Sequence, residues 1–90
     1  MQYRLFKTNS FKRSYKKLKL TDEEDLAYID VMYNLLSDIK LIDKYKDHQL
    51  KGNMKAFREC HIKPDLLLVY MIEEKVLKLV DIGSHSELFD

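Results

Sequence analysis

The sequence runs to 90 residues, 46% hydrophobic and 34% charged, with a net charge of +1 at pH 7. A chain of this size makes one small domain with a narrow stability margin, and it is too apolar to be disordered. Cys60 is the sole cysteine, which excludes an internal disulfide and fits a reducing compartment. The longest wholly apolar run, Leu66 to Ile72, falls far short of the roughly 20 residues of a membrane helix, and the opening MQYRLFKTNS lacks a secretory apolar core. The expectation is a cytoplasmic protein that engages no membrane.

The stretch YRLFK alternates as a first strand. Asn9 or Ser10 is expected to cap a short helix in which Phe11, Tyr15 and Leu18 recur at helical spacing. Residues 1–20 hold seven Lys or Arg and no acid. Lys12, Arg13, Lys16 and Lys17, with Lys19, either form a solvated face or follow the phosphates of a nucleic acid. TDEE at 21–24 is a capping box that starts a second helix at Asp22. In that helix Leu26, Ile29, Tyr33 and Leu36 form the stripe expected to face the core, with Met32 and Leu35 beside it. Residues 39–53 read as a long connection, and loops of that length are often functional. Three strands follow as a meander, over about residues 55–62, 66–72 and 76–82, with turns at KPD and EEK. The fold class is α+β, in the order β-α-α-β-β-β: a small, antiparallel-rich sheet packed against two N-terminal helices, as one domain over residues 1–90.

In an up-down-up meander, the end of its first strand, the start of its second and the end of its third share one edge. His61, Asp65 and His85 occupy those places. With adjacent strands ~4.8 Å apart the outer two lie about 10 Å apart, and imidazoles leaning inward leave a gap of small-molecule size. Two histidines near a carboxylate suit general acid–base chemistry, because imidazole titrates near neutrality. Cys60 precedes His61 on a strand, so their side chains point to opposite faces and cannot form a nucleophile pair. His48, His61 and His85 match no standard metal-ligand spacing, so neither a metal nor another cofactor is expected. A substrate that supplies its own nucleophile is then required, and RNA does so through its 2′-hydroxyl. Arg58 and Lys51 either hold the phosphate or pair with Glu59 or Asp47.

KDHQLKG at 46–52, FRECHIKPD at 57–65, LLLVY at 66–70 and GSHSELF at 83–89 resemble the YafQ-type toxins of the RelE/ParE superfamily. The resemblance implies a RelE-like fold ending in a short helical turn. It also implies a ribosome-dependent mRNA endonuclease that inhibits translation and is held inactive by a cognate antitoxin. Its partners are therefore antitoxin, ribosome and mRNA. Carried over by position, it marks His48, His61, Asp65, His85 and Phe89 as active-site residues. Leu66 takes the place, after the Asp, where some members carry an aromatic residue, and so joins Lys51 and Arg58 as a substrate-contact candidate. Phe89 is either the remaining aromatic platform or a plug for the core. For His48 the resemblance implies a loop folded back over the sheet, whereas the meander alone puts it near the start of a strand. The alternatives are a ParE-like inhibitor of DNA gyrase, or an antitoxin- or RNA-binding module without catalysis.

Overall fold

The computed structural model describes residues 1–89. Its elements are β1 (Arg4–Lys7), α1 (Asn9–Lys17), α2 (Asp22–Leu36), β2 (His48–Gln49), β3 (Arg58–Lys63), β4 (Leu66–Glu73), β5 (Val76–Gly83) and α3 (His85–Phe89). The strands form one sheet in the order β1-β5-β4-β3-β2. β1 runs parallel to β5 and every other pairing is antiparallel. The α+β class and the two-helix, meander plan hold, with one more strand than the sequence suggested.

Local chemistry sets most boundaries. The capping box at Thr21 forms as expected, its hydroxyl accepting from the Glu24 amide at 3.1 Å while the Glu24 carboxylate accepts from the Thr21 amide at 2.9 Å. The first helix is capped by Thr8 rather than Asn9 or Ser10. Thr8 Oγ1 accepts from the Phe11 amide at 3.0 Å and donates to the Val80 carbonyl at 2.7 Å. One hydroxyl therefore starts α1 and fastens it to β5. Glu74 and Lys75 both adopt positive φ, 51° and 64°, the tight two-residue hairpin geometry between β4 and β5.

The connection over residues 39–53 is more ordered than a loop. It carries a 3₁₀ turn at Asp43–Tyr45, the short strand β2 and a second 3₁₀ turn at Gly52–Met54. Leu41 and Tyr45 bury themselves in the core and pin it down. β3 begins at Arg58, not near residue 55, because Lys55 and Ala56 are spent on a turn.

Helices α1 and α2 cover one face of the sheet. Between them and the strands lie Phe11, Val31, Met32, Leu35, Cys60, Ile62, Leu66, Leu68, Tyr70, Leu77, Leu79 and Ile82, and each fully buried aliphatic side chain there contributes about 1.5–3 kcal/mol. The face of α2 turned inward is only in part the expected one, since Leu36 of the stripe packs against the core and the rest of it does not. Val31, Met32 and Leu35 are buried, whereas Leu26, Ile29 and Tyr33 are 67%, 55% and 56% exposed. No helix among the described residues is long and apolar enough to cross a membrane.

Candidate active site

Side chains of successive strand residues point to opposite faces, and directly paired residues share a face. Arg58, Cys60 and Ile62 of β3 turn toward the helices, so Glu59 and His61 turn away from them. Across the sheet His48 pairs with Glu59, Glu59 with Val69 and Val69 with Asp81. The next row runs from His61 through Leu67 to Gly83. The face without helices therefore carries His48, Glu59 and His61 at one side and Leu67 and Val69 as its apolar floor.

On that face both histidines converge on one carboxylate oxygen. His61 Nε2 lies 3.2 Å from Glu59 Oε1, and His48 Nε2 lies 3.5 Å from the same atom. The two imidazole centroids are 6.3 Å apart. Glu59 is 6% exposed, the buried charged residue of the chain's described part. A buried carboxylate is costly unless it is paired, and here the His61 ring pairs it at hydrogen-bond distance, with His48 joining when its Nε2 also carries a proton. His48 Nδ1 lies 2.7 Å from the Lys46 carbonyl, which can only accept, so Nδ1 carries a proton and Nε2 is the nitrogen facing Glu59.

His85 enters from the far end of the second row, two residues beyond Gly83. Asp65 Oδ1 accepts from the His85 backbone amide at 3.0 Å. Asp65 therefore fixes where His85 begins its helix; its carboxylate does not meet the imidazole, which was the expected arrangement. A small capping pair reinforces the hold: Glu87 Oε1 accepts from the Ser84 amide at 2.8 Å, and Ser84 Oγ accepts from the Glu87 amide at 3.2 Å. The bond from the Ser84 amide foremost, and the Ser84 hydroxyl beside it, hold the Glu87 carboxyl below its usual range. Gly83 makes the close approach possible, since a Cβ there would stand 3.0 Å from Glu87 Oε1. Phe89 comes back against His85, ring centroids 5.4 Å apart, so it is neither deep in the core nor remote from the histidine.

Two candidates fall away. Arg58 points into the helix-side layer and its guanidinium bonds Asp47 Oδ2 at 3.1 Å, while the Tyr70 hydroxyl donates to Asp47 Oδ1. It is the ion-pair alternative that forms, on the helix side of the sheet and away from the two histidines. Leu66 is 6% exposed and packed among the core residues, so it has no face to offer a substrate. Lys51 stands in the exposed turn after β2, and among the described residues it makes no polar contact with the trio. Lys12, Arg13, Lys16 and Lys17 are exposed along α1. Glu59, expected only as an ion-pair partner for Arg58 or Lys51, instead joins the histidines, as its place two residues before His61 on the same face allows. Cys60 is fully buried on the helix side, where burial pushes its thiol well above the ordinary range and leaves it unreactive.

The mixed five-stranded sheet under two N-terminal helices is the fold of the RelE-like toxins. Residues 3–90 match the profile of the YafQ family, described as the bacterial toxin of a type II toxin–antitoxin system, and the chain belongs to that family. It is 33% identical over 75 residues to the mRNA interferase toxin YafQ of Escherichia coli K12, an alignment covering 81% of this chain and 82% of that one. Among solved structures it is similar to a copper-bound single-residue variant of a toxin from Helicobacter pylori, at 42% identity and a TM-score of 0.89 over 97% of this chain and 99% of that one. It is also similar to a chain of the E. coli DinJ–YafQ complex, at 29% identity and a TM-score of 0.82, covering 99% and 100%. The H. pylori variant holds copper. Here His48, Glu59 and His61 pack on one another, and among the described residues no group of three or more His, Cys, Asp or Glu side chains is arranged to hold a metal ion.

Proposed function

We propose that the protein is an mRNA interferase that cuts RNA on its helix-free face by acid–base chemistry, with the RNA 2′-hydroxyl as nucleophile. The observation that carries this reading is the convergence of His48 and His61 on the buried Glu59. With Nε2–H donated to Glu59, neutral His61 keeps Nδ1 as a free acceptor, the form a general base needs. His61 Nδ1 takes the 2′-hydroxyl proton, and the 2′-oxygen attacks the adjacent phosphorus. The bond to the 5′-oxygen breaks, and a protonated His85 delivers a proton to that leaving group. The products are a 2′,3′-cyclic phosphate and a 5′-hydroxyl.

The remaining residues position these groups. Glu59 fixes the tautomer and orientation of His61, His48 shares the carboxylate, and Asp65 and Glu87 anchor the segment that carries His85. Phe89, on the next turn from His85, is the aromatic surface on which a neighbouring base stacks. A gyrase inhibitor would have no use for this constellation. The exposed lysines of α1 dock the protein on ribosomal RNA, and the cut falls on mRNA being translated. A cognate antitoxin, as in the DinJ–YafQ complex of the relative, holds the protein inactive in the cytoplasm.

The test is to incubate the purified protein with an mRNA in three settings: free, on translating ribosomes, and on ribosomes after addition of the antitoxin. Cuts within the open reading frame only in the second setting support the reading. Absence of cleavage by the folded protein on translating ribosomes overturns it.

A further inference from the structure

Behind the catalytic face, a cavity of about 450 Å³ opens between α2 and the edge of β3. Ala27, Tyr45 and Ile62 form its apolar wall, and Lys44, Lys46 and Lys63 line it alongside. β2 pairs only with Arg58 and Glu59, so the β3 edge from His61 onward has no strand beside it. The cavity fills that place. It also touches the catalytic trio at two points: His61 borders it, and the Lys46 carbonyl holds the His48 ring.

We propose that this cavity receives one base of the RNA strand beside the scissile phosphate, with Lys44 and Lys46 on the flanking backbone, and so sets the enzyme's sequence preference. The inference rests on the nuclease reading above and names the substrate-recognition site that reading lacks. Three observations select a nucleotide as occupant. The volume lies in the roughly 300–1,000 Å³ range of small-molecule sites, enough for a base but not for a helix. The two paired rows that carry His48, Glu59 and His61 hold no Lys or Arg, and Lys78 on a further row of that face lies over the Phe6 ring, so cations for the phosphates come from the rim. Three lysines stand at this one.

The wall is rigid before any ligand arrives. Tyr45 is 3% exposed and its hydroxyl donates to Asp30 Oδ2 at 2.6 Å. Lys63 is held meanwhile by Glu23, whose side chain is 81% exposed. A surface pair of that kind is weak and gives way to a phosphate.

The experiment is a titration of the isotopically labelled protein with 2′-O-methylated trinucleotides, which lack the attacking hydroxyl. Amide shifts at Ala27, Tyr45 and Ile62, together with shifts at His48 and His61, are expected. Ala27→Phe, which fills the cavity, should erase the Tyr45 and Ile62 shifts and weaken binding roughly tenfold, the scale of one lost stacked base. The exposed double variant Lys44→Ala/Lys46→Ala should flatten the slope of log affinity against log salt by about 1.4, two single-strand phosphate contacts. On translating ribosomes, Ala27→Phe should still cut but with an altered distribution of cleavage sites. Shifts confined to the histidines, or unchanged affinity and salt slope in the folded variants, overturn the proposal. If the trinucleotide fills the cavity but wild-type protein cuts no mRNA, the base site stands and the nuclease reading fails.

Discussion

The two faces of the sheet are made from the same strands yet hold opposite kinds of chemistry. Toward the helices, β3 sends Arg58, Cys60 and Ile62 into a layer closed by Tyr70, Leu68 and Leu77. Every polar group there is answered within the fold: Arg58 and Tyr70 both bond Asp47, and burial and that bond push the Tyr70 hydroxyl above its ordinary range. Away from the helices, the alternate residues Glu59 and His61 meet His48 around one oxygen, and His61 keeps a ring nitrogen unengaged among the described residues. With the proposed chemistry on the open face, a two-residue alternation separates stability from reactivity across one sheet. Substitutions on the helix side should cost folding, and substitutions on the open side should cost rate.

The largest effect should come from the open face. His61→Gln removes the proposed base and should lower single-turnover cleavage about 10²- to 10⁴-fold, and His85→Gln should fall by a similar factor, with thermal stability little changed in both. A folded variant that loses less than about threefold would break the division at that residue.

Leu68→Ala, on the helix side, should cost about 2–5 kcal/mol in urea unfolding, much of the stability available to a domain this small. Leu68 is fully buried. Its residual folded fraction should cleave at the normal rate once corrected for population.

Tyr70→Phe sharpens the comparison because it removes one oxygen. Asp47 keeps Arg58 but loses its second donor, and stability should fall by about 1–2 kcal/mol while the cleavage rate stays within twofold. A large loss of rate at normal stability would mean that the two faces are coupled.

Changing Lys12, Lys16 and Lys17 to Glu should touch neither face. Ribosome binding should weaken, most visibly at low salt, with stability and the chemical step preserved. Unchanged binding across a salt titration would return these lysines to a solvated helix surface.

The smallest effect concerns acid. Glu87 titrates lower in the folded protein than its ordinary 4.5, so its hold on Ser84 is complete above that pH and is lost as pH falls through the depressed value. Amide exchange at Ser84 should therefore rise selectively below pH 4.5, before the core opens.

Much of this layout was legible beforehand because turns and caps are local. Thr21 and Glu24 announced α2, and the KPD and EEK turns fixed the meander that lines up His61 with His85. The failures were about which side an element shows. α2 carries two apolar stripes, and helical spacing says that each is a stripe without saying which one meets the sheet. The chain buries Val31, Met32 and Leu35 and leaves Leu26, Ile29 and Tyr33 outside. The site misread had a simpler remedy. Counting by two from His61 leads to Glu59, and counting by two from Cys60 leads to Arg58, so the alternation itself puts the carboxylate on the face of His61 and the guanidinium on the helix side, paired with Asp47. Leu66 looked like a substrate contact because it follows Asp65, but pairing with Lys63 across a register shift turns it inward.

The central claim is that the helix-free face cleaves RNA by proton transfer to and from the RNA's own hydroxyls. Chemical analysis of the ends left on mRNA after single-turnover cleavage on the ribosome tests it most directly. The ends should be a 2′,3′-cyclic phosphate or its 3′-phosphate hydrolysis product and a 5′-hydroxyl, and His61→Gln should yield neither. A 5′-phosphate with a free 3′-hydroxyl would show that water or another external nucleophile attacks, and would contradict it.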